Sequence, residues 1–149
     1  MENKPIKIDL LELKEEYDKS GLFRFVSGYL HGLGKIDSAE ALVEELQWRE
    51  SAGNTLIEED FAVPHIESSH VNETSIVLVR LIPPIFNWTA DYSVNTALFI
   101  LIKQDEEKHI LKNVKKIIKS LAYEETIELL KQAGPQHVES VLQKLQEET

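Results

Sequence analysis

Cysteine is absent from the 149 residues, which excludes disulfides, thiolate metal sites and every cysteine nucleophile. Glycine is sparse, with six residues, and nowhere gathers into a phosphate-cradling loop, a metal-ligand spacing or a kinase signature. No apolar run approaches the roughly 20 residues of a membrane span. The start, Met-Glu-Asn-Lys-Pro, lacks an apolar signal core, so the expected compartment is the cytoplasm. Basic charge is in deficit: 16 Lys and Arg stand against 26 Asp and Glu, giving a net charge of −10 and a pI near 5.0. That balance argues against a nucleic-acid surface and against anionic membranes, and leaves basic protein partners open. What is present, 42% apolar and 28% charged residues without repeats or long linkers, suits one globular domain over 1–149 with a substantial core.

Periodicity orders the chain. Residues 5–12 alternate weakly and suit a short strand. Asp18 or Ser20 can cap a helix carrying Leu22, Phe25, Val26, Tyr29 and Leu30, which Gly32-Leu33-Gly34 ends. Asp37 and Glu40 make a capping-box-like start to a second helix over 38–51, with Leu42, Val43 and Leu46 on one face. Strand fragments are expected over 55–65. Ser75 to Ile82 is the clearest strand and is expected to close at Pro83-Pro84, with Phe86 to Trp88 a brief edge strand. Thr96 to Lys103 reads as a central strand covered on both faces. A helix over Asp105 to Leu121 is expected to bury Ile110, Val114, Ile117, Ile118 and Leu121, and helices near 124–132 and 135–148 are split by Gly134-Pro135. Interleaved helices and apolar strands predict an α/β layered domain. His31 and His137 fall near helix ends; His31 reads as structural or solvated and His137 as solvated.

Chemistry concentrates between Arg49 and Ile66. Pro64 fixes its own φ and holds Val63 extended, so His65 is presented by a stiff strand end. Arg49 follows Leu42 by seven residues and so points along the apolar stripe, where a guanidinium needs a carboxylate, a carbonyl or an oxyanion. A salt bridge or a helix-end carbonyl satisfies it as well as an oxyanion does.

The pair Arg49-Glu50, Thr55 six residues after the arginine, and the run Phe61-Ala-Val-Pro-His65 together resemble the signature of fructose/mannitol-type (type 2) enzyme IIA domains of the bacterial sugar phosphotransferase system. The likeness extends more faintly from about Leu22 to Leu121. It implies a mixed sheet of about five strands flanked by helices on both faces. It further implies a phosphocarrier: His65 accepts a phosphoryl group from phospho-HPr and passes it to a cysteine of a sugar-specific enzyme IIB. With no cysteine, no working IIB is fused within this sequence. Arg49 supplies a forked cation, and His109 corresponds to a family histidine near a helix start, close to the phosphoryl acceptor. No cofactor and no metal is implied.

Two departures stand out, Asp60 where family members usually carry glycine and Ile66 where a small residue is common. They bear on partner choice more than on chemistry. Two other readings stand beside the phosphocarrier. One is a IIA-like regulatory module, in which phosphorylation of the histidine adds about −1.5 to −2 of charge and switches an interface. The other is zinc-dependent hydrolysis, with His65, Glu67, His70 and His109 gathered round a metal.

Overall fold

The two nearly all-apolar runs near residues 76 and 98 dictate the architecture, because strands greasy on both faces are stable only between two covering layers. The computed structural model describes residues 5–148. Its elements run β1 (Ile8–Leu13), α1 (Lys19–Gly32), α2 (Ala39–Ala52), β2 (Leu56–Glu58), β3 (Phe61–Ala62), β4 (His65–Ser68), β5 (Ser75–Thr89), β6 (Tyr92–Lys103), α3 (Lys108–Ser120), α4 (Glu124–Gln132) and α5 (Pro135–Glu147). The six-stranded mixed sheet has the order β1-β5-β6-β3-β2, and β4 also pairs with β6. β1 runs parallel to β5, β5 antiparallel to β6, and β3 and β4 both parallel to β6.

Alternation along the strands sorts the core into two layers. Val77, Val79, Leu81, Ala97, Phe99 and Leu101 face α1 and α2, meeting Leu22, Phe23, Val26, Leu30, Leu42 and Leu46. Ile76, Leu78, Leu98 and Ile100 face α3, α4 and α5, meeting Val114, Ile117, Ile127, Leu130, Val138 and Leu142. β3 and β4 are two pieces of one line along β6, broken at Val63-Pro64, and this break makes six strands of the expected five or so.

The structure corrects several sequence expectations. Pro83 and Pro84 do not close the strand: β5 continues to Thr89, absorbing Phe86 to Trp88. β1 ends opposite Leu81, and the β5–β6 register shifts between Arg80 and Ile85. The prolines therefore sit where no regular ladder needs their missing amides. In α1 the buried aromatic is Phe23, not Phe25, which is 36% exposed. Phe23 meets the edges of Trp88 and Phe99 at 5.9 Å each, whereas Phe25 packs on Tyr17. Asp18 does cap α1, accepting from Gly21 N at 2.6 Å. Ser38, not Asp37, caps α2, accepting from Ala41 N. α3 begins at Lys108 because Asp105 takes a left-handed turn (φ 58°). Ile118 is 44% exposed, since α3 meets the sheet through Val114 and Ile117, a helical step away.

Candidate functional site

The site grows from the break in the β3–β4 line. Pro64 cannot donate and restrains Val63, so the chain is pinned by its neighbours instead. Val63 N–H donates to the Thr55 carbonyl at 2.9 Å, and the Pro64 carbonyl accepts from Ile100 N at 2.9 Å. His65 opens β4 in register with Ile100, which directs its side chain to the face covered by α3 to α5. The residue is half-buried, and its Nδ1 lies 2.7 Å from the Val63 carbonyl. A carbonyl only accepts, so Nδ1 carries the proton, and the lone pair of the neutral ring sits on Nε2. One nitrogen is fixed by the backbone, and the other keeps its lone pair free of that contact.

Arg49 lies in the last turn of α2 and donates from Nη1 to the Gly53 carbonyl at 2.7 Å. The apolar stripe of α2 runs instead through Leu42, Leu46 and Glu50, at steps of four, and Arg49 flanks it. The helix-end carbonyl is thus its partner here. α2 runs antiparallel to β4: Asp37 meets His70 at one end, and Ser68 Oγ donates to Glu45 farther along. Arg49, one turn beyond Glu45, is carried towards the His65 end. It belongs to the layer on the opposite face from the imidazole, so any meeting of the two runs round the edge of β4, which among the described residues pairs with β6 alone.

His109 occupies the first turn of α3, with Nδ1 3.3 Å from Glu107 Oε2 and its side chain 36% exposed. Its helix covers the face to which His65 projects. The hydrogen bonds and ion pairs of Arg49, His65 and His109 each close on their own local segment rather than on one another. Asp60 and Ile66 both have structural partners. Asp60 takes Lys131 Nζ at 2.6 Å and Asn95 Nδ2 at 3.3 Å, tying the β2–β3 turn to α4 and β6. Ile66 packs into the α1–α2 layer.

Among the described residues no group of three or more His, Asp or Glu is placed to hold a metal ion. Glu67 is exposed, and His70 turns to Asp37 at 2.8 Å. The hydrogen bond to Asp37 raises the His70 pKa above its usual value, helped by the charges of Asp37 and Glu45 and opposed by partial desolvation.

Sequence reasoning passed over Glu50 as a structural group, although its place four residues after Leu46 on the buried stripe was the signal. It is 9% exposed. Its carboxylate meets Lys19 Nζ at 3.2 Å, Thr55 N at 3.2 Å and Thr55 Oγ1 in a close contact.

Residues 4–145 match the family described as phosphoenolpyruvate-dependent sugar phosphotransferase system, EIIA 2. Over 56 residues, 38% of this chain, the sequence is 41% identical to the 2-O-alpha-mannosyl-D-glycerate-specific EIIABC component of Escherichia coli (strain K12), and the match spans 8% of that protein's length. The fold resembles that of nitrogen regulatory protein IIA-Ntr from Neisseria meningitidis, with a TM-score of 0.72 at 20% identity, over 91% of this chain and 92% of that one. IIA mannitol from Escherichia coli gives a TM-score of 0.64 at 20% identity over 89% of this chain and 94% of its own. The same domain in complex with phosphorylated enzyme IIB mannitol gives 0.65 at 20% identity, over 89% and 92%. With the family match spanning nearly all of its length, the chain belongs to the EIIA 2 family of the phosphoenolpyruvate-dependent sugar phosphotransferase system.

Proposed function

We propose that this domain is a phosphocarrier acting in the cytoplasm, in which His65 takes a phosphoryl group from phospho-HPr and passes it to a cysteine of a sugar-specific enzyme IIB. The carrying observation is the Nδ1 contact to the Val63 carbonyl, which leaves Nε2 as the basic nitrogen on a stiff strand start. The Nε2 lone pair attacks phosphorus as the P–N bond to the donor histidine breaks. The ring then carries positive charge, and its Nδ1–H still donates to Val63. In the second step a thiolate sulfur attacks, the P–N bond to His65 breaks, and the imidazole returns to neutrality. Neither step needs a nucleotide, because the phosphoryl group arrives already activated.

Arg49 and His109 are the groups we assign to balancing charge on the transferring oxygens, a demand that is mainly electrostatic. The Gly53 carbonyl holds one nitrogen of the Arg49 fork and leaves the others for an anion. His109 sits where the first-turn amides of α3 and an imidazole can face one anion together.

Incubation with phosphoenolpyruvate, enzyme I and HPr should add one acid-labile phosphoryl group, and His65→Ala should carry none. A labelled His65→Ala protein would end the assignment. Adding enzyme IIB of the 2-O-alpha-mannosyl-D-glycerate or the mannitol system then tests onward transfer. A label that stays on His65 with every IIB would favour the regulatory module instead.

A further inference from the structure

We propose that Glu50, with Thr55 and Lys19, is the positioning device that selects the reactive nitrogen of His65; the inference rests on His65 being the phosphoryl acceptor. The device is an unbroken chain of contacts from a buried carboxylate to the imidazole. Glu50 closes the apolar stripe of α2, where an acid needs strong partners to be buried at all. Lys19 Nζ, at the start of α1, meets its Oε2 at 3.2 Å while lying 4.9 Å from the centre of the Trp88 ring. Oε1 accepts both the backbone amide and the hydroxyl of Thr55. The Thr55 carbonyl then holds Val63 N–H at 2.9 Å, and the Val63 carbonyl holds His65 Nδ1 at 2.7 Å.

Each link removes one freedom. A carboxylate that accepts from both the amide and the hydroxyl of one residue anchors Thr55 on two sides of its Cα. From that anchor the Thr55 carbonyl takes Val63 N–H, and the Val63 carbonyl, part of the peptide bond to Pro64, is confined by the extended ψ that a following proline imposes. The carbonyl meeting the imidazole is therefore held from both sides of Val63. If the Val63 carbonyl drifts, nothing in the chain forbids the opposite tautomer, with the proton on Nε2 and the lone pair turned inwards. A ring with its proton on the wrong nitrogen cannot attack, as mutated triads of other enzymes illustrate. None of the three residues needs to touch phosphate.

The test uses the full chain and two readouts. Nitrogen-15 NMR of the imidazole reports which ring nitrogen of His65 is protonated, without any phosphoryl transfer. Single-turnover labelling from phospho-HPr reports the rate. In Thr55→Val, which keeps the shape and loses the hydroxyl, we expect a mixed tautomer and a rate lowered by about tenfold or more. Thr55→Ser should restore both. Lys19→Met, at the half-exposed end of the chain, is expected to shift both readouts in the same direction by less, and it secures the test if Glu50→Gln does not fold.

Folded Thr55→Val and Lys19→Met proteins that keep the wild-type tautomer and rate would overturn the proposal and leave Glu50 a purely structural ion pair. Failure of the acceptor assignment is a separate result. It would appear as labelling of His65→Ala, while the tautomer measurement still reports on the network.

Discussion

Arginine and histidine are placed here as donors whose value depends on geometry rather than on charge alone. Arg49 spends one nitrogen on the Gly53 carbonyl, so its planar guanidinium can hold the loop and still present rigidly placed donors to an anion, a geometry that a compact ammonium does not offer. Arg49→Lys is therefore expected to slow transfer from phospho-HPr while leaving the melting temperature almost unchanged. In the proposed role the site opens to protein partners, so the loss should be smaller than the roughly 100- to 1,000-fold typical of a sealed oxyanion site. A rate equal to wild type would identify Arg49 as a helix-end cap and nothing more. His109→Gln asks a narrower question, since the amide still donates but cannot carry the proton's charge. We expect a reduced single-turnover rate with an unchanged amount of label at completion. Full speed in that variant would show that the ring serves only its 3.3 Å contact with Glu107.

At the scale of elements, burial rather than propensity decides which aromatic matters. Phe23→Ala removes a fully buried ring wedged between Trp88 and Phe99, and should cost about 3–5 kcal/mol in chemical denaturation. Phe25→Ala, at a surface position, should fall within about 1 kcal/mol. Equal losses would contradict the packing of α1. The choice between these rings was hard to read from sequence because both fit a helical stripe, one turning towards Val26 and Leu30 and the other towards Tyr17. The long strands and the stiff strand start that presents His65 were legible, since unbroken apolar runs and Val63-Pro64-His65 constrain the backbone locally. The passage of β5 through Pro83-Pro84 was not. It depends on where β1 stops and where the β5–β6 register slips, and both are facts about partners distant in sequence. The place of Glu50 on the buried stripe was visible, but its partner Lys19 meets it only once α1 and α2 pack.

At the scale of the whole molecule, α2 is tied at both ends. Its C-terminal end holds the Thr55 loop. Its N-terminal approach is latched to the β4–β5 connection by the His70–Asp37 contact at 2.8 Å, by Asp37 N–H donating to the His70 carbonyl and by the bridge between Ile36 and Val71. Only the first of these titrates near neutrality. Asp37 holds the His70 pKa above its usual value, so the folded state binds a proton more tightly than the unfolded chain does. The resulting stabilisation is complete below the unfolded pKa of about 6.5 and is lost as pH rises through the raised native value. The pair is exposed, so the effect is modest and weakens with salt. Denaturation midpoints of wild type and Asp37→Asn, compared between about pH 5 and pH 8, should lie farthest apart at the acidic end and draw together towards the alkaline end. In the same variant the His70 titration followed by NMR should move down towards the ordinary histidine value. A gap that widened with rising pH would mean that Asp37 stabilises the latch through its backbone and its own solvation rather than through the imidazolium. The charge on His70 would then have no part in holding α2 against the sheet.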